Sequence, residues 1–213
     1  GAIGVGVGKL GLPGRPQETG KRQAVAAVGQ CELMFMYDKF FGEYNLTTAQ
    51  VLLTGDVLVN EHLRKNTENT FMELLKLGII PVVNENDTVA VDELEGARIG
   101  DNDTLSAVVA RLVNADLLVI LTDIDGLYDD NPMKDPEAKR IPFVPEVTGD
   151  ILALAGGSVS NRGTGGMSTK VRAAANVNRA GIVCCVMSGA VPEKLYDLFE
   201  GAQIGTVFGT GKS

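Results

Sequence analysis

Two short segments, residues 116–122 (DLLVILT) and 181–187 (GIVCCVM), are apolar at nearly every position rather than at alternate ones. A strand sends successive side chains to opposite faces, so a run without alternation must be covered on both sides. Parallel sheets with helices on each face meet that condition, because their strands are joined through helices. The surrounding sequence supplies those helices. Residues 21–41 place Ala24, Val28, Cys31 and Phe35 at three- and four-residue spacing, which predicts a helix with that apolar face. Residues 47–54 read as a strand, residues 66–77 as a helix with Gly78 at a left-handed cap, and residues 79–83 as a β-branched strand. A helix over 103–115 leads into the strand at 116–122. After a Pro-, Asp- and Asn-rich excursion over 123–145, Thr148 is placed to cap a short helix. A helix over 167–180, the strand at 181–187, a helix over 192–199 and an edge strand at 205–208 complete the chain. The expected class is α/β, with a mainly parallel central sheet.

Composition removes several functions. The chain carries 19 basic and 27 acidic residues, a net charge of −8, with no Lys/Arg-rich stretch, so no nucleic-acid partner is expected. Its apolar runs are far shorter than the ~20 residues that span a bilayer, so no membrane partner is expected. The Gly-rich start has no basic n-region, and no signal peptide is expected. Cys31, Cys184 and Cys185 form no CxxC pair, which fits a reducing, cytoplasmic setting. At roughly 100–200 residues per domain, 213 residues suit one domain, here with lobes over about 1–115 and 116–213.

Open α/β sheets bind ligands at the carboxyl ends of their strands, so the residues just beyond each strand matter most. The stretch Gly163-Thr164-Gly165-Gly166-Met167-Ser168-Thr169-Lys170 combines glycines, a helix start and a lysine one turn inside it, the elements of a phosphate cradle. It is not a P-loop, in which lysine follows glycine directly. A flexible connector with a solvated lysine is the competing reading. Gly100-Asp101-Asn102-Asp103-Thr104 supplies either a helix cap or carboxylates able to orient a lysine or Mg²⁺ near phosphate. Asn84-Glu85-Asn86-Asp87 is either an Asx turn or an acidic site for a ligand's ammonium group. Three other patterns fail. Gly4-Val5-Gly6-Val7-Gly8 follows no strand, Gly211-Lys212-Ser213 lacks the P-loop register, and Asp123-Ile124-Asp125-Gly126 has its glycine two positions early for a calcium loop. His62 is the single histidine and no GxSxG occurs, which disfavours a hydrolase triad.

Taken in order, Gly1-Ala2-Ile3, residues 26–34 (AAVGQCELM), 84–87 (NEND), 100–104 (GDNDT), 121–128 (LTDIDGLY) and 163–170 (GTGGMSTK) resemble the amino acid kinase family, and within it the members that phosphorylate glutamate. The resemblance implies a three-layer αβα sandwich. It implies phosphoryl transfer from ATP with Mg²⁺ to the γ-carboxylate of L-glutamate, the first step toward proline. It places Asp87, Asn102 and Asn84, with Gly1 and Ala2, at the amino acid, in a substrate-side lobe. Thr122, Asp123 and the residues Thr164, Gly165, Gly166, Met167, Ser168, Thr169 and Lys170 fall at ATP, in a nucleotide-side lobe. Lys170 and Asp103 take the catalytic roles, and Mg²⁺ is held mainly by the ATP phosphates rather than by protein ligands. The family has a lysine-bearing strand and a Gly-Ser loop upstream of the segment aligned with Gly1. The chain is therefore expected either to be a fragment or to lack part of the cationic clamp, and residues 205–208 resemble the end of the kinase domain. A homo-oligomer is expected, with Phe35, Tyr37, Phe40 and Phe41 as a contact surface or as core. Two readings stay open beside this one: a sibling kinase for acetylglutamate, aspartate, carbamate or UMP, and a ligand-binding sensor that kept the fold.

Overall fold

The computed structural model describes residues 1–90, 99–156 and 166–210. The chain forms two compact units, Gly1–Ile99 and Gly100–Ser213.

The first unit contains α1 (Ala2–Lys9), α2 (Thr19–Gly42), β1 (Thr48–Leu53), α3 (Asp56–Val59), α4 (Glu61–Lys76) and β2 (Ile80–Glu85). β1 and β2 pair in parallel, from Thr48 opposite Ile80 to Leu53 opposite Glu85. The helix between them starts earlier than its hydrophobic period. Asn60 caps α4 by accepting from the Leu63 N–H at 3.1 Å, but Leu63 is the one apolar residue among residues 61–66 and gives no spacing to detect. Gly78, at φ +70°, ends the helix as expected, with the Ile79 N–H returning to the Leu74 carbonyl at 2.9 Å.

The Gly-rich start is a helix, not a dinucleotide turn. Glycine lowers helix stability by about 1 kcal/mol relative to alanine, so α1 needs a tertiary reason to form. That reason is a close crossing with α2: a methyl on Gly6 would strike the Val25 carbonyl, and one on Gly29 would strike the Ala2 carbonyl. The buried face of α2 is accordingly Val25, Ala26, Gly29 and Gln30. The expected face of Ala24, Val28, Cys31 and Phe35 is the exposed one, with Phe35 62% exposed. The helix buries small residues and leaves large ones outside, the reverse of what hydrophobic periodicity assumes.

The second unit contains α5 (Asn102–Leu112), β3 (Leu117–Thr122), β4 (Phe143–Val144), α6 (Gly149–Gly156), α7 (Met167–Asn178), β5 (Val183–Ser188), α8 (Lys194–Phe199) and β6 (Thr206–Phe208). Its strands lie in the order β3-β5-β6-β4. β3 is parallel to β5, and β4 to β6, while β6 runs antiparallel to β5. The expected edge strand is thus an inner one. Cys184 and Val186 on one face of β5, and Cys185 and Met187 on the other, are all fully buried, as a strand covered on both sides requires. Val171, Ala174 and Val177 of α7 fill the core beside Phe208. Thr206 secures both ends of the polar excursion: its hydroxyl donates to the Ile141 carbonyl at 2.7 Å and accepts from the Leu127 N–H at 2.8 Å.

Gly29→Ala is expected to lower the unfolding free energy by about 1–3 kcal/mol, the usual cost of overpacking. Gly20→Ala, where an added methyl meets nothing, is expected to be neutral or stabilising by up to about 1 kcal/mol. Urea denaturation followed by circular dichroism reads both, and equal effects would contradict the close approach of α1 and α2.

Candidate active site

In the second unit the acidic cluster resolves into separate tasks. Asp101 is the cap of α5: its Oδ1 accepts from the Thr104 N–H at 2.8 Å and its Oδ2 from the Thr104 hydroxyl at 3.0 Å. Gly100, at φ +78°, makes the turn that brings the chain into this cap. Asp103 is therefore not needed for capping. Its Oδ2 accepts from Lys170 Nζ at 3.0 Å and from the Thr169 hydroxyl at 2.6 Å. The Lys170 and Asp103 side chains are only 10% and 15% exposed. A solvated lysine is excluded.

Lys170 lies in the first turn of α7. Gly166 caps that helix with extended backbone and no side-chain hydrogen bond. The Thr169 N–H returns to the Gly166 carbonyl at 3.1 Å, and the cap residue itself offers no side-chain acceptor to the helix start, a place where helices can receive an anion. The Thr169 hydroxyl also lies 2.7 Å from the Gly166 carbonyl, so its one proton serves either that oxygen or Asp103. Met167 is buried in the core, and Ser168 is half-buried. Thr164 and Gly165 lie outside the described residues.

At the carboxyl end of β3 the Thr122 hydroxyl donates to Asp123 Oδ1 at 3.1 Å. Thr122 faces Ser188 across the ladder, and the Gly189 N–H donates to the Thr122 carbonyl at 2.8 Å. Ser188 and Gly189 were not singled out from sequence, although the strand-end rule that selected Thr122 applies equally to them. Asn102 begins α5, is exposed, and makes no hydrogen bond among the described residues.

In the first unit Asn84 is buried near the end of β2, and its Nδ2 donates to Gln30 Oε1 at 3.0 Å. Sequence reading missed Gln30, since a glutamine within an apolar helical segment gives no local sign of its partner. The adjoining turn is closed by the main-chain carbonyl of Asn86, which accepts from the Val89 and Ala90 N–H groups, while its Oδ1 accepts from the Thr88 hydroxyl at 2.5 Å. Asp87 is half-buried and its carboxylate has no hydrogen-bond or ion-pair partner among the described residues. Burial pushes its carboxyl above the ordinary range, against the opposing pull of Arg15 and Arg22. Gly1 is the exposed cap of α1, and Ala2 is buried against Gly29.

These features define an α/β protein with anion-receiving and cation-receiving groups at strand ends and at a helix start. The chain belongs to the amino acid kinase family, whose model matches residues 2–188. It is 54% identical over 209 residues to the glutamate 5-kinase of Clostridium perfringens (strain 13 / Type A), covering 98% of this chain and 78% of that protein. The glutamate 5-kinase of Listeria monocytogenes serovar 1/2a is 53% identical over 213 residues, covering 100% of this chain and 77% of its own. Among solved structures, carbamate kinase from Giardia lamblia bound to AMP-PNP superposes with a TM-score of 0.63 at 18% identity, covering 97% of this chain and 79% of that one. The chain has the α/β fold of that family. Among the described residues no helix is long and apolar enough to cross a membrane.

Asp87 ties stability to pH. Its folded-state pKa lies above the ordinary 3.8, so between those values the folded protein binds more protons than the unfolded chain. Stability then falls as pH rises through that window and stays lower above it. Asp87→Asn is expected to be more stable than the parent at pH 7 without ligand, and to lose that advantage below pH 3.8. Urea titrations at both ends of the range test this; an Asn variant less stable at pH 7 would contradict it.

Proposed function

We propose that this chain transfers the γ-phosphoryl group of MgATP to the γ-carboxylate of L-glutamate, giving glutamyl 5-phosphate, the entry to proline synthesis in the cytoplasm. The observation that carries phosphoryl transfer is the buried Lys170, held by Asp103 at the uncapped start of α7. The acceptor is supported by the glutamate 5-kinases that match the chain throughout.

The chemistry asks little covalent work of the protein. One γ-carboxylate oxygen bonds to the γ-phosphorus as the bond from phosphorus to the β–γ bridging oxygen breaks, leaving ADP. The carboxylate is already ionised at neutral pH, so no general base is required. The protein aligns the partners and offsets developing negative charge. Lys170 and the first N–H groups of α7 suit the phosphate oxygens, with Gly166, Ser168 and Thr169 beside them. Asp103 orients Lys170. Thr122 and Asp123 are proposed nucleotide contacts.

Mg²⁺ is proposed to arrive on the ATP phosphates, where it would neutralise negative charge. On the amino-acid side, Asp87 offers its unpaired carboxylate to the substrate ammonium, with Asn84 and Asn102 as amide contacts and Gly1 and Ala2 as backbone contacts. N-acetylglutamate would leave a half-buried Asp87 uncompensated and is rejected for that reason. Phe35 and Phe40, 62% and 59% exposed on α2, support self-association through that helix.

An assay of ADP release is expected to show turnover with glutamate and not with N-acetylglutamate, aspartate, carbamate or UMP. Lys170→Met should lower kcat by about 10²–10³, as removal of one preorganised donor does elsewhere. Asp87→Ala should raise the KM for glutamate and erase the preference over N-acetylglutamate. Glutamate binding without turnover would favour a sensor, and an unchanged preference in Asp87→Ala would remove its ammonium role.

A further inference from the structure

Gln30 is the polar member of the otherwise small and apolar buried face of α2. It is 7% exposed, and its Oε1 is occupied by Asn84 Nδ2 at 3.0 Å. Its Nε2 is buried and has no hydrogen-bond partner among the described residues. Buried donors without an acceptor are rare in folded proteins and call for an explanation. Folding accounts for the Oε1, which satisfies the buried Asn84 amide, but gives the Nε2 no task.

We infer that Gln30 contacts the substrate, its Nε2 donating to a carboxylate oxygen of the amino acid while its Oε1 holds the amide of Asn84. This rests on the glutamate reading above and adds a specificity residue to it. The missing partner of a donor is an acceptor, and a carboxylate oxygen accepts more strongly than a neutral carbonyl. Gln30 is bonded to Asn84, which lies three residues before Asp87 at the carboxyl end of β2. Among the described residues, Gln30 Nε2 is a donor without an acceptor and Asp87 a carboxylate without a partner. An amino acid carries the complement of both, a carboxylate and an ammonium group. A sugar or nucleobase does not. A neutral amide also fits a place where an added lysine would compete with the substrate ammonium for Asp87.

The test uses the full chain with Gln30→Met and Gln30→Glu, reading KM for L-glutamate, KM for ATP, unliganded Tm and the rise in Tm on adding glutamate. Gln30→Met removes the donor, and with it the acceptor of Asn84, while keeping the shape. It is expected to raise the KM for glutamate ten-fold or more and leave the KM for ATP within two-fold, with a lower unliganded Tm because the buried Asn84 amide loses its acceptor. Gln30→Glu keeps an acceptor for Asn84 but puts oxygen in place of the donor, and is expected to affect the KM for glutamate more strongly still. A lower Tm with an unchanged KM for glutamate would show a merely structural residue and overturn the inference. Should Gln30→Met not fold, the glutamate-induced Tm rise of Gln30→Glu decides: its loss supports the contact, and a rise equal to the parent's overturns it. A parent chain whose Tm and turnover both ignore glutamate would overturn the glutamate reading itself, and this contact with it.

Discussion

A lysine in the first turn of a helix sits against the positive end of the helix dipole, and a buried lysine has also lost its water. Lys170 meets both conditions, and its Nζ donates to the Asp103 carboxylate at 3.0 Å. Asp103 itself lies in the first turn of α5, where the dipole favours a negative charge. The Thr169 hydroxyl adds a third group to the same oxygen. Removing one partner from such a pair typically costs about 3–5 kcal/mol, because the survivor is left buried and uncompensated. The local result is a lysine held by a carboxylate at the start of a helix whose cap residue makes no side-chain hydrogen bond. Small residues make the arrangement possible: Ala107 and Ala110 of α5 and Ala173 and Ala174 of α7 belong to one core cluster.

The first unit rests on a related compromise between backbone and side chain. Gly6 and Gly29 are placed where a methyl would strike a carbonyl, so α1 and α2 approach until their backbones touch. That contact offsets the low helix propensity of a segment with glycine at every second position. It also turns the large apolar residues of α2 outward and draws Gln30 inward. The same packing that stabilises the unit thus carries a polar side chain into its interior beside Asn84.

Two groups in this unit stand at odds with stability in the same direction. Among the described residues, Asp87 is partly desolvated without a partner, and Gln30 holds a buried donor without an acceptor. Proteins keep such groups where a ligand completes them, since binding is strongest when the site has already lost its water. Their opposite hydrogen-bonding characters, one donor and one anion, are the basis of the amino-acid contact proposed for them.

Much of the fold was legible in the residue order. The unbroken apolar runs of β3 and β5 required cover on both faces, and helical spacing with Gly78 placed α4 and its end, because both signals are local and repeat at the period of the element. The family resemblance, carried by short ordered motifs, likewise needed no coordinates. Other features were decided only by the tertiary structure. Which face of α2 is buried depends on backbone approach, and apolar periodicity is blind to it. β6 became an inner strand because a strand's neighbours are set by pairing between segments distant in the chain, not by its own composition. Asp101 and Asp103 look alike in the sequence; one caps a helix and the other holds Lys170 because they point different ways from the same turn. Local chemistry determined the elements and the kinds of ligand they could serve, while the assignment of each polar group to folding or to binding required knowing which partners the fold brings within hydrogen-bond reach.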